Sequence, residues 1–68
     1  LITLNIANEL AVIAFLNYKI KYLQIAEVIH QALEKQPYTP EINDITNIIE
    51  YSQVVERMVQ QIIVKITS

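Results

Sequence analysis

Leu4-Asn5-Ile6-Ala7-Asn8-Glu9-Leu10-Ala11-Val12-Ile13-Ala14-Phe15-Leu16 is a nearly unbroken apolar run interrupted by polar residues at i, i+3 and i+4. At 3.6 residues per turn Asn5, Asn8 and Glu9 share one face of a helix. Elsewhere the helix is apolar almost all round, which predicts burial. Its polar patch then needs hydrogen-bond partners, because a buried polar group left unsatisfied costs about 1–3 kcal/mol. That requirement places the partners outside these residues and makes Asn5, Asn8 and Glu9 a candidate docking patch. Direct contact with a substrate or metal is the other reading of the patch; hydrogen bonding to a packed loop of another domain is the simpler one.

Outward from that run, two more helices are expected. Asn17 is the expected stop of the first, since asparagine tolerates the left-handed backbone and the chain has no glycine to supply it. A short corner, Asn17 to Tyr22, leads to a second helix over Leu23 to Gln36, with Ile25, Val28, Ile29, Ala32 and Leu33 on one side and Glu27, Gln31, Glu34 and Lys35 opposite. Leu23 and Gln24 provide no good cap at its start, while Pro37 forbids continuation at its end. Pro37 to Glu41 is the one breaker-rich stretch and so the candidate hinge. A third helix is predicted from an Asn43 N-cap, with Asp44 in its first turn. Ile45, Ile48, Ile49, Val55, Val59, Ile62 and Ile66 trace its apolar face, widened by Tyr51, Val54 and Met58. At about 24 residues and 1.5 Å each it outreaches the other two, so its last turn, Val64 to Ser68, is expected to fray or to pack on another chain. The fold class is all-α, a small bundle of three main helices.

The 68 residues are 53% hydrophobic and make one domain at most. A chain this short buries only about 60% of its unfolded surface, and with no cysteine and one histidine it lacks the usual staples of small scaffolds. Packing against something else is the remaining route to stability. Opening on Leu1 instead of methionine, the chain reads as a piece cut from a longer polypeptide.

A net charge of −2 gives no electrostatic footprint for nucleic acid. The apolar run Leu10 to Leu16 falls far short of the roughly 20 residues a membrane span requires, and no signal-peptide pattern precedes it. The absence of cysteine fits a reducing compartment. Catalytic constellations are scarce. His30 has Glu27 and Glu34 three and four residues away on one flank, the makings of a supported base or a partial metal site. Without a second histidine or a cysteine, a solvated helix face accounts for all three. No glycine means no glycine-rich phosphate loop. The tyrosines Tyr18, Tyr22, Tyr38 and Tyr51 suit core or interface rims. No catalytic, cofactor-binding or metal-binding residue is assigned.

Several blocks carry a family resemblance: Leu4-Asn5-Ile6-Ala7-Asn8-Glu9, Val12-Ile13-Ala14-Phe15-Leu16, Lys19-Ile20-Lys21-Tyr22, Gln24-Ile25-Ala26, Ala32-Leu33-Glu34 and Asn43-Asp44-Ile45. Together, over Leu4 to Arg57, they resemble the C-terminal helical domain of deoxyxylulose-phosphate reductoisomerases. Departures are Tyr18, where the family commonly has glycine, Gln24 in place of a capping aspartate, and Ile49 and Gln53 in place of an acidic and basic pair.

The resemblance implies a fragment of a larger, four-helix-type C-terminal domain, residues 1–68, which braces the catalytic domain. It implies a parent oxidoreductase of the non-mevalonate isoprenoid pathway that converts 1-deoxy-D-xylulose 5-phosphate to 2-C-methyl-D-erythritol 4-phosphate with NADPH and Mg2+ or Mn2+. Neither cofactor, and no catalytic residue, is expected within these residues. The implied partners are the upstream catalytic domain and, for the parent, a second copy, in the bacterial cytoplasm or a plastid-type organelle. The fragment alone is expected to be inactive and to self-associate, through Leu10, Ile13 and Phe15, through Val55, Val59 and Ile62, or by swapping the third helix about Pro37 to Pro40. The rival reading is a stand-alone helical protein-interaction module.

Overall fold

The computed structural model describes residues 2–36 and 44–68, which form three helices: α1 (Ile2–Leu16), α2 (Tyr22–Lys35) and α3 (Ile45–Thr67). The expected hinge around Pro37 to Pro40 and the expected cap Asn43 lie outside the described residues. All three helices pack on one another, and the all-α bundle agrees with the sequence expectation.

The helix ends show the local physics. At the end of α1 the Tyr18 amide donates to the Phe15 carbonyl at 3.0 Å and the Lys19 amide to the Ala14 carbonyl at 2.9 Å. This is the paired 5→2 and 6→1 bonding of a Schellman motif, which satisfies the last carbonyls of the helix. The residue that takes the left-handed backbone is Tyr18, at φ 60°, one position after the expected Asn17. Two bonds that both need the turn at Tyr18 outweigh the Cβ penalty, which for an ordinary residue is about 1–2 kcal/mol.

α2 begins one residue early, at Tyr22, with Lys21 as N-cap in an extended conformation (φ −88°, ψ 161°). The Gln24 side chain accepts from the Lys21 amide at 2.7 Å, and the Gln24 amide donates to the Lys21 carbonyl at 2.9 Å. Gln24 therefore does cap this helix, from the third helical position inward, which is the reaching-back half of a capping box. Gln36 leaves the helix at ψ 132°, as a residue before proline must. α3 is capped by Asp44, whose Oδ1 accepts from the Thr46 amide at 2.9 Å, so Asp44 is the cap itself and stands outside the first turn.

The core follows from small residues on α1 and larger ones on α3. Ala7, Ala11 and Ala14 of α1 are buried against Val28 and Ala32 of α2 and against Tyr51, Val55, Val59, Ile62 and Ile63 of α3, with Ile20 of the corner closing one end. Alanine at this spacing lets helix axes approach closely, and the branched side chains of α3 supply the volume. Thr3 continues the alanine stripe and is buried; its hydroxyl lies 3.1 Å from the Tyr51 hydroxyl.

α1 and α3 run in the same direction. Thr3 meets Tyr51 near one end, and Ala14 and Asn17 share a hollow with Ile63 and Thr67 at the other. Since α3 has 23 residues and α1 has 15, this register leaves the overhang at the start of α3. Ile45 and Ile49, expected to continue the apolar stripe inward, are 73% and 52% exposed there. The last turn is the better-tied end: the Thr67 hydroxyl donates to the carbonyls of Ile63 and Val64, and the Ser68 hydroxyl to that of Lys65, at 3.0–3.1 Å.

Candidate domain-docking surface

With Thr3, Ala7, Ala11 and Ala14 turned inward, helical geometry sets the opposite side of α1 outward. That side carries Asn5, Asn8 and Glu9 in its first half and Val12, Ile13 and Leu16 in its second. Asn5, Asn8, Glu9, Ile13 and Leu16 are exposed and Val12 is half-buried. Among the described residues only the alanine side of α1 is covered, because two neighbouring helices can cover only part of a cylinder, and the burial expected for its other side finds no partner there. Asn5, Asn8 and Glu9 do share one face, and their side chains make no hydrogen bond to another described residue. A face that combines free amide and carboxylate groups with exposed Ile13 and Leu16 has the mixed character of a non-obligate interface.

The other residues weighed from sequence are structural or solvated. His30 Nε2 lies 3.3 Å from Glu34 Oε1 with both side chains largely exposed. Glu27 instead accepts from the Gln31 amide group at 3.3 Å, so the three do not converge. Among the described residues, no three of His, Cys, Asp and Glu gather where a metal could be held. Tyr51, expected to widen the α3 stripe, is fully buried and bonded, whereas Tyr18 and Tyr22 stand out at the corner. Tyr38 lies outside the described residues. The expected self-association face Val55, Val59 and Ile62 is core and offers no surface, because the register with α1 turns those residues inward. No described helix is long and apolar enough to cross a membrane.

Sequence reasoning missed Thr3. A lone threonine near a helix start carries no pattern, and only the alanine spacing that follows it, once known to be the buried stripe, marks it as a core position.

The family described as the DXP reductoisomerase C-terminal domain matches residues 1–58. Over 65 residues, 96% of the chain, the sequence is 40% identical to 1-deoxy-D-xylulose 5-phosphate reductoisomerase of Ehrlichia ruminantium. It is 45% identical over 49 residues, 69% of the chain, to the enzyme of the same name from a Thermoanaerobacter species. With the one from Pseudomonas syringae pv. tomato it shares 53% identity over 36 residues, 53% of the chain. These alignments cover 16%, 13% and 9% of the respective relatives, so the chain spans a small part of their length. No solved structure gives a significant match. The matched stretch includes all of α1 and α2 and the α3 residues that meet α1 at Tyr51 and Val55, and this chain belongs to the DXP reductoisomerase C-terminal domain family.

Proposed function

We propose that this chain braces the catalytic part of a reductoisomerase that converts 1-deoxy-D-xylulose 5-phosphate to 2-C-methyl-D-erythritol 4-phosphate in isoprenoid biosynthesis. It would do so by docking the outer face of α1 through Asn5, Asn8 and Glu9. The observation that carries this reading is that face itself: a helix apolar on nearly every side is left covered on one side only by the described residues, and its free polar groups lie in the first of the blocks that carry the family resemblance. Every one of the relatives named above bears the name of that enzyme. The same matches favour it over a stand-alone interaction module.

NADPH and a divalent metal would be the parent's cofactors. The described residues do not fit either: no metal-holding group gathers among them, and a chain without glycine has no glycine-rich loop to admit a pyrophosphate against its backbone. Binding of both, and the chemistry, belongs on this reading to the remainder of the polypeptide, and these 68 residues alone are inactive. A homodimeric parent in the bacterial cytoplasm or a plastid-type organelle completes the proposal; bacterial relatives support the location.

The test compares Asn8→Leu in the full-length polypeptide and in the 68-residue chain. Docking predicts a lower melting temperature or lower turnover of deoxyxylulose phosphate for the full-length variant, with helix content of the short chain unchanged. An equal loss in both would assign the patch to internal folding and end the proposal.

A further inference from the structure

A hollow of about 420 Å3 opens between the end of α2 and the last turns of α3. Among the described residues Met58, Ile62 and Val64 give it an apolar wall, and Lys35 of α2 lines it together with Gln60, Gln61 and Lys65 of α3. Ile62 is buried and Met58 half-buried, so the wall reaches down to the core. The volume falls within the roughly 300–1,000 Å3 of small-molecule sites. No residue of α1 lines the hollow, and it shares nothing with the face that carries Asn5, Asn8 and Glu9.

Its charges are of one sign. Lys35 and Lys65 are exposed, and neither ammonium group has an ion pair or hydrogen bond among the described residues. No carboxylate lines the hollow among the described residues. Glu34, next to Lys35, meets His30, and from Arg57 to Ser68 the sequence has no aspartate or glutamate, although the chain as a whole carries −2. Each lysine stands in the last turn of its helix, where a cation also answers the helix dipole. The carbonyls at the end of α3 already accept from the Thr67 and Ser68 hydroxyls, which leaves the Lys65 ammonium group available to a ligand. The side-chain amides of Gln60 and Gln61, likewise without a partner among the described residues, add neutral donors.

We propose that the α2–α3 hollow binds a small amphiphilic anion, an aliphatic chain that ends in a carboxylate or phosphate group. The chain lies against Met58, Ile62 and Val64, and Lys35 and Lys65 neutralise the head. The lining selects this occupant. A neutral apolar molecule leaves both cations unpaired, and an inorganic anion leaves the apolar wall in water. A docked helix needs an apolar stripe along both helices, whereas from α2 only its last residue, Lys35, lines the hollow. A lipid surface calls for roughly four to eight Lys or Arg, where the hollow has two. The site and the brace proposed above have no residue in common, so the two readings stand or fall separately.

The experiment titrates sodium decanoate and decyl phosphate into the full-length polypeptide by isothermal calorimetry. Saturable binding of at least one is expected, with affinity rising about three- to four-fold per methylene from the six-carbon to the ten-carbon chain. Decanol, with the same chain and no charge, should bind about ten-fold more weakly or less, a loss of about 1.4 kcal/mol. The combined Lys35→Gln and Lys65→Gln variant and, separately, Val64→Asp should each weaken binding by a similar factor. All three positions are exposed, so circular dichroism should show unchanged helix content. The proposal is overturned by no saturable binding, the result expected if the remainder of the polypeptide fills the hollow. Equal binding of decanol, or equal binding by the double-glutamine variant, also overturns it. Preferential binding to phosphatidylserine vesicles that the same variant abolishes overturns it in favour of a membrane.

Discussion

Thr3 of α1 and Tyr51 of α3 join their hydroxyls at 3.1 Å inside the core, 48 residues apart in the chain. This contact sets the register of two helices running in the same direction, and the overhang of Ile45 and Ile49 follows from it. Thr3→Val and Tyr51→Phe should each cost about 1–3 kcal/mol, because each removes one partner of a buried polar pair. Because the two share one bond, the double variant should cost less than the sum of the singles. Urea denaturation of the four proteins measures this cycle, and strict additivity would show that the hydroxyls are not coupled.

Ala11 is fully buried where α1 meets its neighbours. Ala11→Leu should destabilise the bundle by about 1–3 kcal/mol through overpacking. Ile13→Ala, at a half-exposed position of the same helix, should change stability by no more than about 0.5 kcal/mol. Thermal melts that rank the two the other way would mean that the outer side of α1 is the packed one.

Tyr18 holds the left-handed position that glycine takes at least cost. Tyr18→Gly should raise stability by up to about 1 kcal/mol, while Asn17→Gly should give no comparable gain, since the left-handed backbone is one residue further on. Calorimetry of both variants is the check, and a gain at Asn17 alone would contradict the observed helix end.

Two caps are open to separate tests. Gln24→Ala removes the acceptor for the Lys21 amide, and Asp44→Ala the acceptor for the Thr46 amide. Each should cost about 0.5–2 kcal/mol, and because they serve different helices the losses should add. Chemical denaturation of the single and combined variants decides it.

Self-association, if it covers the free side of α1, should depend on Ile13 and Leu16 and not on the buried Val55, Val59 and Ile62. Sedimentation of the 68-residue chain across a concentration series should show association that Ile13→Asp with Leu16→Asp suppresses while helix content persists. A monomer at every concentration would remove the outer face of α1 as a self-association surface. NADPH and Mg2+ should leave the melting temperature of this chain unchanged, since a ligand stabilises only a state that binds it.

The three helices and most of their limits were legible in the sequence, because helix formation is a local matter of i to i+4 bonding, proline stops and capping side chains. Most of the stripes of α2 and of α3 from Tyr51 onward was legible for the same reason, since polar residues mark the opposite side, but Leu33, expected inward, is 40% exposed, and Ile63, absent from the expected stripe, is buried. The grouping of Asn5, Asn8 and Glu9 on one face also follows from helical spacing alone. In α1 the periodicity is nearly mute, since apolar residues surround the axis, and only packing decided that the alanines and Thr3 turn inward while Ile13 and Leu16 stay out. The tertiary structure likewise decided that Tyr51 bonds Thr3 and that Ile45 and Ile49 overhang, since both depend on how far one helix slides along another. It also moved the left-handed residue from Asn17 to Tyr18, where the Phe15 and Ala14 carbonyls required two donors at fixed positions whatever side chain the chain placed there.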